Sequence, residues 1–202
     1  MIARVLAAGF LLFLAGCAST PQPRFYALSA SGTASTLSGS ASTGASAASA
    51  ISVSVGPVSV PALVERPQIV VSTGPNQVRL DDLNRWAAPL QDNLSEVIAQ
   101  NLLGLLGAAQ VSSFPKMPAA DAQYRVAVEL QRFESVPGTE ALLEATWTVL
   151  RKKDRVTQTG RTRVREAVKD GSYEALAAAH SRAAGRLSED IARAIRALDA
   201  RT

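Results

Sequence analysis

The sequence predicts an α+β fold: a single domain in which a mostly antiparallel or mixed sheet carries two long helices packed on one face. Three observations point there. A chain of 202 residues, less a leader and a low-complexity stretch, leaves room for one compact domain. It is 47% hydrophobic but only 5% aromatic, so its core must be built from Val, Leu, Ile and Ala. The apolar patterns also run in a telling order: alternating segments, a helical stretch, an alternating meander, then a terminal helical stretch.

The chain opens with Met1 and Arg4 followed by an apolar run from Val5 to Leu14, the plan of a secretory leader. As a helix this run covers about half of a ~30 Å hydrocarbon core, too little for a membrane span. Leu14-Ala15-Gly16-Cys17 follows at once and resembles the lipobox of bacterial lipoproteins, in which the cysteine thiol accepts a diacylglycerol. Residues 1–16 are therefore expected to be a signal peptide, and Cys17 the lipid attachment point and membrane anchor. The alternative is an ordinary cleaved leader with an incidental cysteine. Ala18, rather than Asp, resembles the sorting pattern that sends lipoproteins to the outer membrane, facing the periplasm. Residues 17–24 read as a lipidated tether stiffened by Pro21 and Pro23; six residues from Cys17 reach only about 20 Å, which keeps the domain close to its membrane.

The domain proper is expected over residues 25–202. Phe25 to Ser29 reads as a short strand. Ala30 to Ala50 is almost wholly Ser, Ala, Gly and Thr, too poor in large side chains to offset ordering entropy, so residues 30–50 are read as a disordered loop joining two strands, or as a longer flexible tether if Phe25 to Ser29 does not dock. Ile51, Val53 and Val55 alternate with Ser up to a bend at Gly56-Pro57 and resume at Val58 and Val60; Pro61 and Pro67 confine this region to a sheet edge or a turn. Ile69 to Thr73 and Gln77 to Leu80 form a hairpin around Gly74-Pro75-Asn76.

Between Trp86 and Leu106, Leu90, Leu94, Val97, Ile98, Leu102 and Leu105 recur at helical spacing, with Pro89 near the start and Gly107 as the stop. Tyr124, Val126, Val128 and Leu130 alternate cleanly, as do Ala141, Leu143, Ala145, Trp147 and Val149 beyond the Pro137-Gly138 turn. A third strand spans Arg155 to Val168, and a second long helix begins near Ser172 with the stripe Tyr173, Leu176, Ala177, Ala184, Leu187, Ile191, Ile195 and Leu198.

Chemistry-bearing patterns are scarce. His180 is the only histidine, falls on the apolar stripe of the last helix and has no nucleophile or orienting acid at a recognisable spacing, so it reads as a core or boundary residue and the chain as no enzyme. One cysteine and one histidine give no metal-ligand cluster, and no phosphate-binding glycine loop occurs; no metal and no cofactor are expected. Lys and Arg number 21 against 17 acids, a net +4 of which Arg4 in the leader supplies one, too little to argue for nucleic acid. Arg161, Arg163 and Arg165 alternate and so project from one strand face, opposite Glu144, Thr146 and Thr148 on the next strand's polar face; they are either a cross-strand ion-paired surface or part of a basic patch that meets a partner.

Two segments carry a family resemblance. Val53-Ser54-Val55-Gly56-Pro57-Val58-Ser59-Val60-Pro61 leads through Arg66-Pro67-Gln68-Ile69-Val70, and Leu83-Asn84-Arg85-Trp86-Ala87-Ala88-Pro89-Leu90 leads to Asn101-Leu102. With Phe25-Tyr26-Ala27-Leu28 as an opening strand, they resemble the ABC-type transport auxiliary lipoprotein family, of the PqiC type. The Ser/Ala-rich insertion after Leu28 is longer than that pattern leads one to expect. The resemblance implies a docking subunit on the outer-membrane side, working with an MCE-domain protein and an ABC permease and ATPase complex in lipid transport between two membranes. Homo-oligomerisation is left open. Arg85 and Trp86 are then candidates for the partner interface, since Arg and Trp often anchor binding sites; Trp86 packing the first helix onto the sheet is the competing reading. A stand-alone envelope structural or outer-membrane assembly lipoprotein is the alternative function.

Overall fold

The computed structural model describes residues 21–30, 49–113 and 122–201. Cys17, the leader and most of the Ser/Ala-rich stretch lie outside the described residues. The strands are β1 (Arg24–Tyr26), β2 (Ser49–Ser59), β3 (Gln68–Gly74), β4 (Gln77–Trp86), β5 (Ala108–Ser113), β6 (Tyr124–Val136), β7 (Glu140–Arg151) and β8 (Val156–Ala167); the helices are α1 (Leu90–Leu106) and α2 (Tyr173–Asp199). They form a five-stranded sheet in the order β5-β2-β6-β7-β8 and a three-stranded sheet in the order β1-β4-β3. α1 lies over β2 and β5, α2 over β7 and β8, and the two helices pack on each other, so both cover one face of the larger sheet. This is the α+β arrangement the patterns predict.

The meander β6-β7-β8 is antiparallel throughout. Tyr124, Val126, Val128 and Leu130 are all buried, as are Ala141, Leu143, Ala145, Trp147 and Val149, so the clean alternation does place one apolar face under the helices. Gly160 stands opposite Trp147 across β7 and β8, and a Cβ there would lie 2.2 Å from the indole ring, so the glycine makes room for the tryptophan. α2 starts where Ser172 predicts: its hydroxyl accepts from the N–H of Ala175 at 3.1 Å. Its stripe of Leu176, Ala177, Ala184, Leu187, Ile191, Ile195 and Leu198 is buried, each Leu or Ile contributing on the order of 1.5–3 kcal/mol. α1 ends at Gly107, whose φ of 56° is the left-handed conformation glycine adopts freely.

Three expectations need correction. β2, expected at an edge because of its prolines, is internal and parallel to both neighbours, β5 and β6. Pro57, which has no N–H to give a ladder, is accommodated because the register with β6 slips between Val55 and Val58, exactly where the ladder is interrupted. Trp86 does not open the first helix but closes β4; the helix begins at Leu90, after Pro89. The third concerns the strand after α1: β5 was not anticipated, because Ala108–Ser113 is small and polar and its role is to extend the sheet through its backbone beside β2.

Candidate functional site

The segments that carry the family resemblance meet around one cleft. β4 runs past its hairpin with β3 and breaks register at Asp81, whose Oδ1 accepts the backbone N–H groups of Leu83 and Asn84, both at 3.0 Å. The strand then resumes beside β1. Trp86 N–H donates to the Pro67 carbonyl at 2.7 Å and Ala87 N–H to the Tyr26 carbonyl at 2.8 Å, so the chain is pinned from both sides just before α1. Pro89 takes the helix's first orphan donors, from Asp92 and Asn93 at 3.0 and 3.1 Å. The Asn93 side chain reaches back and brackets Leu28, accepting from its N–H at 2.7 Å and donating to its carbonyl at 3.4 Å. Between these pieces lies a cleft of about 450 Å³ walled by Val60, Pro67, Trp86, Ala87, Ala88, Pro89 and Leu90, with Glu65, Arg66 and Gln91 also lining it. Its size and largely apolar lining suit a small hydrophobic group rather than a polar substrate.

Trp86 is buried and is the outer member of an aromatic series leading into the core. Its ring meets Phe133 edge-on at 6.1 Å, and Phe133 stacks on His180 at 3.8 Å. His180 Nε2 shares a hydrogen bond with the Ser135 hydroxyl at 2.8 Å. Burial holds the imidazole neutral and pushes its pKa down to about 3. Nδ1 has no hydrogen-bond partner among the described residues, and Ser135 is itself buried, so the pair lacks both an orienting acid and access for a substrate. It belongs to the core, where the sequence places His180.

The small sheet is tied to α2 through Asp81, which accepts from the Tyr173 hydroxyl at 2.7 Å. Burial pushes the Asp81 carboxyl up, but hydrogen bonds from Tyr173, Asn84 and the Leu83 backbone outweigh it and hold the group below the ordinary carboxylate range. Burial and this bond push the Tyr173 phenol up to about 12. A matching pair, Tyr124 hydroxyl to Asp199 at 2.9 Å, secures the other end of α2.

The five sequence candidates for an interface fall into two places. Trp86 forms a wall of the cleft, and Arg85, half-buried beside it, donates through Nε to the Asp82 carbonyl at 2.7 Å. Arg161, Arg163 and Arg165 stand on β8, on the face of the large sheet away from the helices. Arg161 and Arg163 both pair with the buried Glu144, the latter at 3.8 Å, and Arg165 pairs with Glu140 at 2.6 Å. The cross-strand ion pairing expected for them is present. Phe133 was not singled out from sequence. The signal was its spacing of three from Leu130 across the polar pair Gln131-Arg132, which marks the register slip that returns Phe133 and Ser135 to the inner face. Among the described residues no group of three or more His, Cys, Asp and Glu could hold a metal, and no helix is long and apolar enough to cross a membrane.

The family model described as ABC-type transport auxiliary lipoprotein component matches residues 26–192. A solved structure of an uncharacterised protein is 18% identical, superposes with a TM-score of 0.69, and is matched over 86% of this chain and 99% of its own. The protein XCC0632 from Xanthomonas campestris is 19% identical with a TM-score of 0.60, over 83% of this chain and 92% of its own. At such identities these two show a shared fold. No curated protein matches this chain significantly.

Proposed function

The chain belongs to the family of ABC-type transport auxiliary lipoprotein components, and from that premise we propose that lipid on Cys17 holds it to the outer membrane while its domain docks an MCE-associated ABC system that moves lipid between the two membranes. The family is one of auxiliary transport components of the cell envelope, and the work of this subunit is to hold, not to react. Fixing one partner at a bilayer raises its effective concentration for the other without any bond chemistry. Two long acyl chains make release from the bilayer negligible, at ~0.8 kcal/mol per buried methylene.

The observation that carries the reading is the convergence of Arg66-Pro67 and Trp86-Ala87-Ala88-Pro89-Leu90, family-resembling segments some twenty residues apart, on one apolar cleft. We place the contact with the periplasmic MCE-domain partner there, with Trp86 as a wall and Arg85 at its edge. The ion-paired face of Arg161, Arg163 and Arg165 is a second surface the partner could cover. Anchors held rigidly in a partly apolar concavity are what interface hot spots require.

The test is a pulldown from gently solubilised envelope. Wild-type protein is expected to bring down the MCE-domain protein with its permease and ATPase. Ala88→Arg fills the cleft from an exposed position, so it should abolish that recovery while the protein stays folded and membrane-bound. Cys17→Ser should release the protein to the soluble periplasmic fraction. Recovery of wild-type protein without any transporter subunit overturns the transport reading in favour of a stand-alone envelope lipoprotein.

A further inference from the structure

We propose that the three-stranded sheet is a membrane-contact face: Phe25, Val78, Leu80 and Leu83 enter the interfacial layer of the bilayer that holds the anchor. This rests on the reading of Cys17 as the lipid attachment site and goes beyond it, because an anchor fixes a distance but not an orientation.

The first support is where apolar surface is left uncovered. Phe25 is 62% exposed, Val78 and Leu80 43% each and Leu83 41%, so the small sheet holds most of the large hydrophobic side chains that stand open among the described residues. The others are scattered: Leu63 lies in the β2–β3 loop, Leu103 on α1 and Val156 at the start of β8. β4 is the middle strand of its sheet, yet every side chain from Gln77 to Leu83 is exposed except Asp81. A middle strand is ordinarily the best covered.

Register brings these side chains to one face. Phe25 pairs with Arg85, Arg85 with Gln68, Val70 with Leu80 and Ser72 with Val78. Paired residues on neighbouring strands project to the same side, and Gln68, Val70 and Ser72 alternate along β3. Phe25, Leu80 and Val78 therefore share a face, with Leu83 in the register break between them. Arg85, on the same face, marks the boundary with the cleft.

The second support is the length of chain beyond β1. Six residues lie between Cys17 and Arg24, so the two are at most about 25 Å apart when the chain is stretched. The 27 residues of α2 span about 40 Å, so the tether is shorter than the domain. It can hold β1 at the bilayer but not the far end of α2, where Asp199 and the β7–β8 turn lie. Arg24 and Arg79 alternate with Phe25, Val78 and Leu80 and project from the opposite face, where Asp81 is turned to Tyr173, so they do not interrupt the apolar face.

The mature lipidated protein, reconstituted into vesicles of three parts phosphatidylethanolamine to one part phosphatidylglycerol, tests this by tryptophan quenching from brominated acyl chains. The native Trp86 and Trp147 are buried and give a constant background. Phe25→Trp and Leu83→Trp should emit further to the blue and lose about twofold or more of their added emission, as expected for side chains ~5–10 Å into the boundary layer. Leu103→Trp and Val156→Trp should be unaffected. Should Phe25→Trp not fold, Val78→Trp carries the same expectation. Protein that floats with the vesicles but shows no more quenching at 25 and 83 than at 103 and 156 overturns the contact face and leaves the anchor standing. Protein that does not float overturns both. A blue shift at 25 and 83 that grows with protein concentration in detergent assigns the face to a second copy and overturns the membrane contact.

Discussion

The two sheets of this protein are built on opposite principles. The five-stranded sheet is covered on one face by both helices, and nearly every apolar residue its alternation points inward is buried. The three-stranded sheet has no helix of its own; β3 contributes Ile69 and Val71 to the core, while β4 stands largely in the open, held by hydrogen bonds at Asp81, Trp86 and Ala87. The large sheet is where stability resides and the small one is where surface is offered. The first is an unyielding frame, and the second presents exposed groups whose loss costs that frame little.

The sharpest separation between the two regions should come from acid. His180 sits within the frame, neutral, with its pKa pushed down to about 3 against 6.5 for the free side chain. The unfolded chain binds a proton below 6.5 that the folded chain refuses, so stability is full above that pH and falls as pH drops toward 3. At about 1.4 kcal/mol per pH unit the loss reaches roughly 4–5 kcal/mol, the largest effect expected here. Urea midpoints measured from pH 7 to pH 3 check it. His180→Leu should lower stability at pH 7, through loss of the Ser135 hydrogen bond and the stacking on Phe133, yet flatten the acid limb. An unchanged slope in that variant would place the acid sensitivity elsewhere.

Next in size is a pair of glycines, one in each sheet. Gly160→Ala in β8 would set a methyl group 2.2 Å from the Trp147 ring, whose Nε1 is also held by the Thr162 hydroxyl at 3.0 Å, so the indole cannot simply swing aside. A cost of about 1–3 kcal/mol is expected, with a change in near-ultraviolet circular dichroism from the displaced tryptophan. Gly74→Ala in β3 meets nothing closer than 3.7 Å, and its stability should stay within about 0.5 kcal/mol of wild type. Equal effects at the two positions would erase the distinction between frame and surface.

The same contrast governs how much was legible in the sequence. The frame was readable because period is a local property: Tyr124 to Leu130, Ala141 to Val149 and the stripe from Leu176 to Leu198 state their buried faces in the order of their residues. Where the frame escaped reading, side chains were not the cause of structure. β5 is a strand because its backbone completes β2, and β2 is internal because the register slips around Pro57. In the small sheet a different signal worked. Motif resemblance picked out Arg66-Pro67 and Trp86 to Leu90, which the structure gathers at one cleft, but no periodicity announced that β1, far away in sequence, would lie parallel to β4 or that Asp81 would meet Tyr173 across the fold. Such pairings depend on long-range geometry, and they decide which residues share the site.

That Asp81–Tyr173 bond joins the two regions, and removing it tests whether they unfold together. Tyr173→Phe keeps the ring near Tyr26, whose centroid lies 6.0 Å away, and deletes only the donor to Asp81. A hydrogen bond to a charged carboxylate contributes about 1.5–3 kcal/mol, but Asp81 is half-exposed and water can replace the phenol, so about 1 kcal/mol is expected. The loss should be felt locally. Hydrogen exchange should quicken at β4 amides around Asp81 to Asn84 while those of β6 and β7 keep their protection, and the Asp81 carboxyl should titrate at a higher pH once a donor that holds it down is gone. If protection instead falls uniformly across both sheets, the small sheet opens only when the frame does, and its exposed strand is as much a part of the cooperative core as the meander beneath the helices.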